Sequence, residues 1–118
     1  MKTILIIAAI VSLNSLKDGD ILTGRWESRR SENGNVTGVI FKPDHTYEGY
    51  VNKKPFVSGT YTLEDNLITI IENGCDGKKG IYKILLFSNS DSLRFQSVCD
   101  SCEERRDGMN RTVLGRVK

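Results

Sequence analysis

From Thr23 onward the chain is a succession of short runs rich in aliphatic, aromatic and β-branched residues, each closed by turn formers. Thr23–Arg30 ends in Ser31-Glu32-Asn33-Gly34-Asn35, Val36–Lys42 in Pro43-Asp44, and His45–Asn52 in Lys53-Lys54-Pro55. Val57–Leu63 ends in Glu64-Asp65-Asn66, Leu67–Glu72 in Asn73-Gly74, and Gly80–Phe87 in Ser88-Asn89-Ser90-Asp91. Ser92–Cys99 runs into a charged loop, Asp100–Gly108, and the last run is Arg111–Val117. Gly, Pro, Asn and Asp supply the backbone conformations that tight turns need. The eight runs therefore predict eight short strands in an antiparallel meander.

Inside the runs the period is two. Successive strand side chains point to opposite faces, so Val57, Tyr61 and Leu63 share one face while Ser58, Thr60 and Thr62 share the other. Tyr47 and Val51 alternate with Glu48 in the same manner. Leu67–Ile71 and Ile81–Phe87 are apolar on both parities, which predicts strands covered on both faces. Only Glu103–Arg106 has a local helical pattern, and it is too short to stand alone. Short loops make sequence neighbours spatial neighbours, and closure removes exposed sheet edges. The expected fold is all-β, an eight-stranded antiparallel up-and-down barrel. Such a barrel holds one small ligand or is filled by its own side chains.

The chain starts on a different pattern. Lys2 precedes an apolar run, Ile4–Leu13, that falls short of the roughly 20 residues a spanning helix needs. Basic, then apolar, then polar is the order of a secretory signal peptide. Residues 1–15 read as that signal and 16–118 as the barrel domain, with cleavage near Ser15–Leu16. No Cys follows the run, so a lipid anchor on a processed Cys is not expected. The product is expected to be secreted or periplasmic, without stable membrane insertion after cleavage.

Composition narrows the function classes. A chain of 118 residues carries one core, and 27% charged with 38% hydrophobic residues is neither a disordered polyelectrolyte nor a polytopic membrane protein. A net charge of +2 argues against a nucleic-acid partner. The single His, His45, sits at a turn beside Asp44. Neighbouring strand residues point apart, whereas a catalytic His needs a nucleophile and an orienting carboxylate within reach. No P-loop, nucleophile elbow or helical zinc motif is present. The expectation is a non-enzymatic protein with no cofactor and no metal.

Specific residues then carry a resemblance. Gly24-Arg25-Trp26 resembles the Gly-x-Trp signature that opens lipocalins and the wider calycin group. Gly59-Thr60-Tyr61, Cys75 with Gly80-Ile81-Tyr82, and Asp100-Ser101-Cys102-Glu103-Glu104-Arg105 are similar to motifs of small bacterial lipocalin-like domains. Phe41-Lys42-Pro43-Asp44-His45-Thr46-Tyr47 resembles their Phe-x-Pro-Asp-Gly-x-Tyr hairpin, with His45 where Gly is usual. The resemblance spans Thr23 to Lys118, and Cys99 departs from it. It implies that Trp26 closes one barrel end, with Arg116 of the last run packed across its ring as a cation–π pair. The expected function is binding of a small, mostly apolar ligand at one open end of the barrel. The candidate ligand-binding residues are Trp26, Tyr47, Tyr61, Phe95 and Arg116, weighed against plain core filling.

There are three Cys. With Phe87 facing Ser92, Gly80 would oppose Cys99 and Gly77 would oppose Cys102, leaving Cys75 within a short loop's reach of Cys102. A Cys75–Cys102 disulfide is the expected pairing in an exported chain. Cys75–Cys99 and Cys99–Cys102 remain alternatives. A redox reading of Cys99-Asp100-Ser101-Cys102 lacks the preceding parallel strand and is opposed by Glu103-Glu104. A zinc reading lacks a fourth ligand at motif spacing.

Two arginine stripes, Arg25/Arg29/Arg30 and Arg105/Arg106/Arg111/Arg116, lie on runs that a closed barrel makes neighbours. Merged, they would form a positive patch. That is the second expectation: a cell-envelope interaction or inhibitor scaffold docking an unknown protein partner through loops and patch. Glu27, Glu32, Glu103 and Glu104 would balance the same stripes as a solvated face.

Overall fold

The computed structural model describes residues 21–118. The signal-peptide reading of residues 1–15, and the cleavage position with it, lie outside the described residues. Eight strands follow: β1 (Gly24–Glu27), β2 (Thr37–Phe41), β3 (Thr46–Val51), β4 (Lys54–Glu64), β5 (Leu67–Glu72), β6 (Lys79–Phe87), β7 (Ser92–Asp100) and β8 (Val113–Arg116). Each pairs antiparallel with the next, and β8 pairs with β1, so the sheet is a closed up-and-down barrel.

The turns follow from local chemistry. Asn52 and Lys53 both have positive φ, 51° and 69°, the geometry whose twist suits a two-residue hairpin between β3 and β4. His45 has φ 67° in the β2–β3 turn, the left-handed conformation that makes Gly usual there. Inward positions alternate as expected. Tyr47, Tyr61, Ile68, Ile70, Tyr82, Ile84, Leu93, Phe95 and Leu114 are buried in one cluster.

Three expectations need correction. First, β5 and β6 are covered on one face only. Leu67, Ile71, Leu85 and Phe87 are exposed on the outside, because a closed barrel has a single interior and no second layer covers these strands. Second, the charged segment after β7 holds a nine-residue helix, α1 (Glu103–Arg111), longer than its local pattern implied. Glu103 and Glu104 in its first turn and Arg111 in its last complement the helix dipole. Tertiary anchors at Cys102, Arg105 and Met109 offset its shortness.

Third, the β6–β7 register slips by one. Phe87 does pair with Ser92, but a bulge leaves Val98 unpaired, so Ile81 faces Cys99 and Gly80 faces Asp100. The period of two then reverses beyond the bulge. Asp100 turns into the barrel and is buried, whereas Cys99 turns outward as an exposed free thiol.

Cys75 and Cys102 form a disulfide. It ties the Cys75–Gly77 turn between β5 and β6 to the start of α1. It closes a loop with a sequence separation of 27. Replacing both cysteines by Ser is expected to lower stability by about 3.5 kcal/mol on chain-entropy grounds. Urea unfolding of oxidised wild type against the double variant measures this.

Candidate functional site

The two barrel ends differ. At the closed end Trp26 is fully buried, its Nε1 donates to the Leu22 carbonyl at 2.9 Å, and the Arg116 guanidinium lies 4.2 Å above its ring. Arg116 also donates to the carbonyls of Ile21 and Ser90, at 2.8 Å and 3.3 Å. The β2–β3 turn is at this end, where His45 stacks at 5.4 Å on Tyr61, and Tyr61 packs edge-on against Phe41 at 5.1 Å.

The opposite end is open. A cavity of about 640 Å³ enters between the β3–β4 hairpin, the Cys75 turn and α1. This lies within the roughly 300–1,000 Å³ span of small-molecule sites. Its inner wall is apolar: Phe41, Ile68, Ile70, Phe95 and Leu114, with Met109 from α1. Phe56 stands at the rim and is 72% exposed. The Cys75–Cys102 bridge is part of the lining, so the disulfide fixes two of the three segments that frame the mouth.

Of the five residues predicted to contact ligand, the cavity brings together Tyr47 and Phe95. Trp26, Tyr61 and Arg116 do not line it. They fill and cap the closed end, because β1 and β8 are short and place Trp26 and Arg116 side by side.

The polar wall of the cavity was not foreseen as a unit. Arg105 reaches back from α1 and grips Asp100 with two bonds, Nε to Oδ2 at 2.7 Å and Nη2 to Oδ1 at 2.8 Å. Nη2 also donates to the Lys78 carbonyl at 2.9 Å. Tyr82 donates its hydroxyl to Asp100. Gly80 makes this approach possible. A Cβ there would come within 2.8 Å of Asp100 Oδ2, 2.9 Å of Tyr82 Cε1 and 3.0 Å of Arg105 Nη2. The Gly-x-Tyr spacing in β6 is thus a packing requirement of the ion pair.

A second carboxylate stands beside it. Tyr47, Gly59 and Glu72 share one row across β3, β4 and β5, and the Tyr47 hydroxyl crosses the glycine to donate to Glu72 Oε2 at 2.9 Å. A second such row runs across β1, β2 and β3: Tyr50 crosses Gly38 to donate to Glu27 at 2.5 Å. Each row sets a tyrosine over a glycine to reach an acid two strands away.

Electrostatics follow from burial and pairing. Burial disfavours ionised Asp100, but the Arg105 and Tyr82 hydrogen bonds outweigh it and bring the carboxyl down to about 2. The Asp100 bond holds the Arg105 guanidinium above its ordinary range. Burial, reinforced by the neighbouring carboxylates, pushes the Tyr47 and Tyr82 hydroxyls far up, so both remain donors at neutral pH. Burial and Glu27 push Tyr50 up to about 12.

The merged positive patch is corrected by the same geometry. Arg105 is buried in its ion pair and the part-buried Arg116 lies on Trp26, so two of the stripe's members are engaged as structural anchors. Among the described residues, no group of His, Cys, Asp or Glu is arranged to hold a metal ion. No described helix is long and apolar enough to cross a membrane.

No curated protein matches the chain significantly. A family model, described as a domain of unknown function, DUF3994, matches residues 4–79. The match takes in β1 to β5 and the Cys75 turn, with Tyr47 and Glu72 of the polar wall. It covers more than half of the chain, which therefore belongs to the DUF3994 family.

Proposed function

We propose that this protein is a non-enzymatic binding protein that carries a small, mostly apolar molecule in the open end of its barrel, in a secreted or periplasmic setting. The observation that carries the reading is the cavity of about 640 Å³, apolar on its inner wall and flanked by a few buried polar groups. That combination is the usual make-up of a small-molecule site. The lipocalin-like resemblance of Gly24-Arg25-Trp26 points the same way. The disulfide supports an oxidising compartment. The placement of His45 on Tyr61 at the closed end favours binding over catalysis.

The test uses N-phenyl-1-naphthylamine, a neutral apolar fluorophore, titrated into the oxidised full chain. The expected result is saturable one-to-one binding with micromolar affinity. Phe56→Ala, at the exposed rim, is expected to weaken it about fivefold by removing apolar contact area. The same substitution should leave stability within about 0.5 kcal/mol, since the residue is exposed. Linear, non-saturating fluorescence would overturn the reading.

A further inference from the structure

The cavity's polar wall holds one buried donor that the protein leaves without a hydrogen-bond partner. Arg105 is only 8% exposed. Nε and Nη2 are saturated by Asp100 and Lys78. Nη1 is buried and has no hydrogen-bond partner. Glu72 Oε1 lies 3.7 Å from it, beyond hydrogen-bond range. Glu72 Oε2 is taken by Tyr47, so Oε1 is the carboxylate's remaining acceptor towards this side. Both Arg105 and Glu72 line the cavity.

This donor and this acceptor define what can sit between them. One atom must accept from Nη1 and donate to Oε1 across 3.7 Å. A hydroxyl oxygen does both. A carboxylate accepts only and would also face two carboxylates, Asp100 and Glu72, against one guanidinium. Asp100 already neutralises that guanidinium through two hydrogen bonds. An ammonium donates only and leaves Nη1 unsatisfied. A methyl end satisfies neither. Leaving a buried donor unmade is costly, so the polar group of the ligand is selected by this pair.

Resting on the cavity reading above, the geometry points to an apolar-chain molecule ending in an uncharged hydroxyl, seated with its oxygen between Arg105 Nη1 and Glu72 Oε1. The apolar chain lies against Ile68, Ile70 and Phe95. Charge on the headgroup is what the site rejects.

The experiment is displacement of N-phenyl-1-naphthylamine from the oxidised full chain at pH 7.5 by ten-carbon probes: decan-1-ol, decanoate, decylammonium and decane. Decan-1-ol is expected to bind about tenfold or more tightly than each of the others, the value of one hydrogen bond to a charged group. Arg105 variants risk unfolding, so the second variant is Glu72→Gln. It keeps an acceptor for Tyr47 while removing the charge. Decanoate is expected to gain about tenfold in that variant, narrowing the preference for the alcohol. Decanoate or decane equal to decan-1-ol in the wild type overturns the hydroxyl assignment and leaves the cavity reading standing. An unchanged preference in Glu72→Gln also overturns it. A fluorophore that never binds removes the cavity reading and this assignment together.

Discussion

Replacing Arg105 by Met is expected to cost about 4 kcal/mol of stability, because it strands a buried carboxylate. The Asp100 side chain is fully buried, and Arg105 supplies two of its hydrogen bonds. Methionine restores the volume of the stem but no charge and no donor. Tyr82 and the Cys102 amide would remain as the partners of Asp100. Against a total of about 5–15 kcal/mol for a domain of this size, the variant would be marginal.

The effect has a pH signature with a definite sign. In the wild type Asp100 is depressed to about 2 from its ordinary 3.8. A depressed carboxyl stabilises the fold fully above the unfolded value, by about 2 kcal/mol, and loses that contribution as pH falls through the folded value. The wild type should therefore weaken between about pH 4 and 2. In Arg105→Met the burial of Asp100 persists without the guanidinium, so its pKa moves upward instead. Protonation then relieves the variant as the wild type weakens. Urea midpoints of both proteins should converge as pH falls from 7 to 2. A gap that stays constant over that range would show that lost packing, not the stranded charge, sets the cost. Asp100→Asn, which keeps the shape and removes the charge, should cost less than Arg105→Met.

How far this site was legible depends on individual residues. The alternation in Val57–Leu63 and the turn residues after each run led directly to a closed barrel, because both signals are local. The stacking of Arg116 on Trp26 was implied by the lipocalin-like resemblance and the Cys75–Cys102 pairing by the proximity of the two segments; the structure shows both contacts, but Trp26 and Arg116 do not line the cavity. Asp100 and Arg105 were visible as a motif but not as a wall of the cavity. The reason is Val98. A bulge is decided by how two strands and a helix fit together, and one extra residue exchanges which of Cys99 and Asp100 faces inward. Arg105 lies in the string Glu103-Glu104-Arg105-Arg106-Asp107, whose composition is that of a solvated surface. Nothing in that string distinguishes the one arginine that turns in. Glu72 closes an apolar run and reads as its polar end. Only the row it shares with Gly59 and Tyr47 shows why it turns inward. Local pattern carries the scaffold, whereas the polar wall exists only once strand registers are known.

Trp26→Ala is expected to lower stability by about 4 kcal/mol while leaving the affinity of the cavity within about twofold. The indole is fully buried between Leu22 and the Arg116 guanidinium. Its removal opens a void in a part of the barrel where the surrounding strands are tied by their ladders and cannot collapse into it. The Leu22 carbonyl loses its donor from Nε1, and Arg116 loses the ring it covers. Arg116 would still donate to Ile21 and Ser90, so the first and last segments of the barrel remain joined, but around a hole. Trp26→Phe separates the contributions. It keeps an aromatic face for Arg116, loses the Nε1 bond and part of the volume, and should cost about half as much as the alanine change. Stability is read by circular dichroism in urea, because the variants lack the chain's only tryptophan. Fluorophore affinity is measured where each variant is fully folded. Unchanged affinity in Trp26→Ala assigns Trp26 to the cap, since none of the cavity's lining is supplied by it. A tenfold loss of affinity with a small loss of stability would place the indole in the binding site instead, and would revive the ligand-contact role expected of it as a large aromatic.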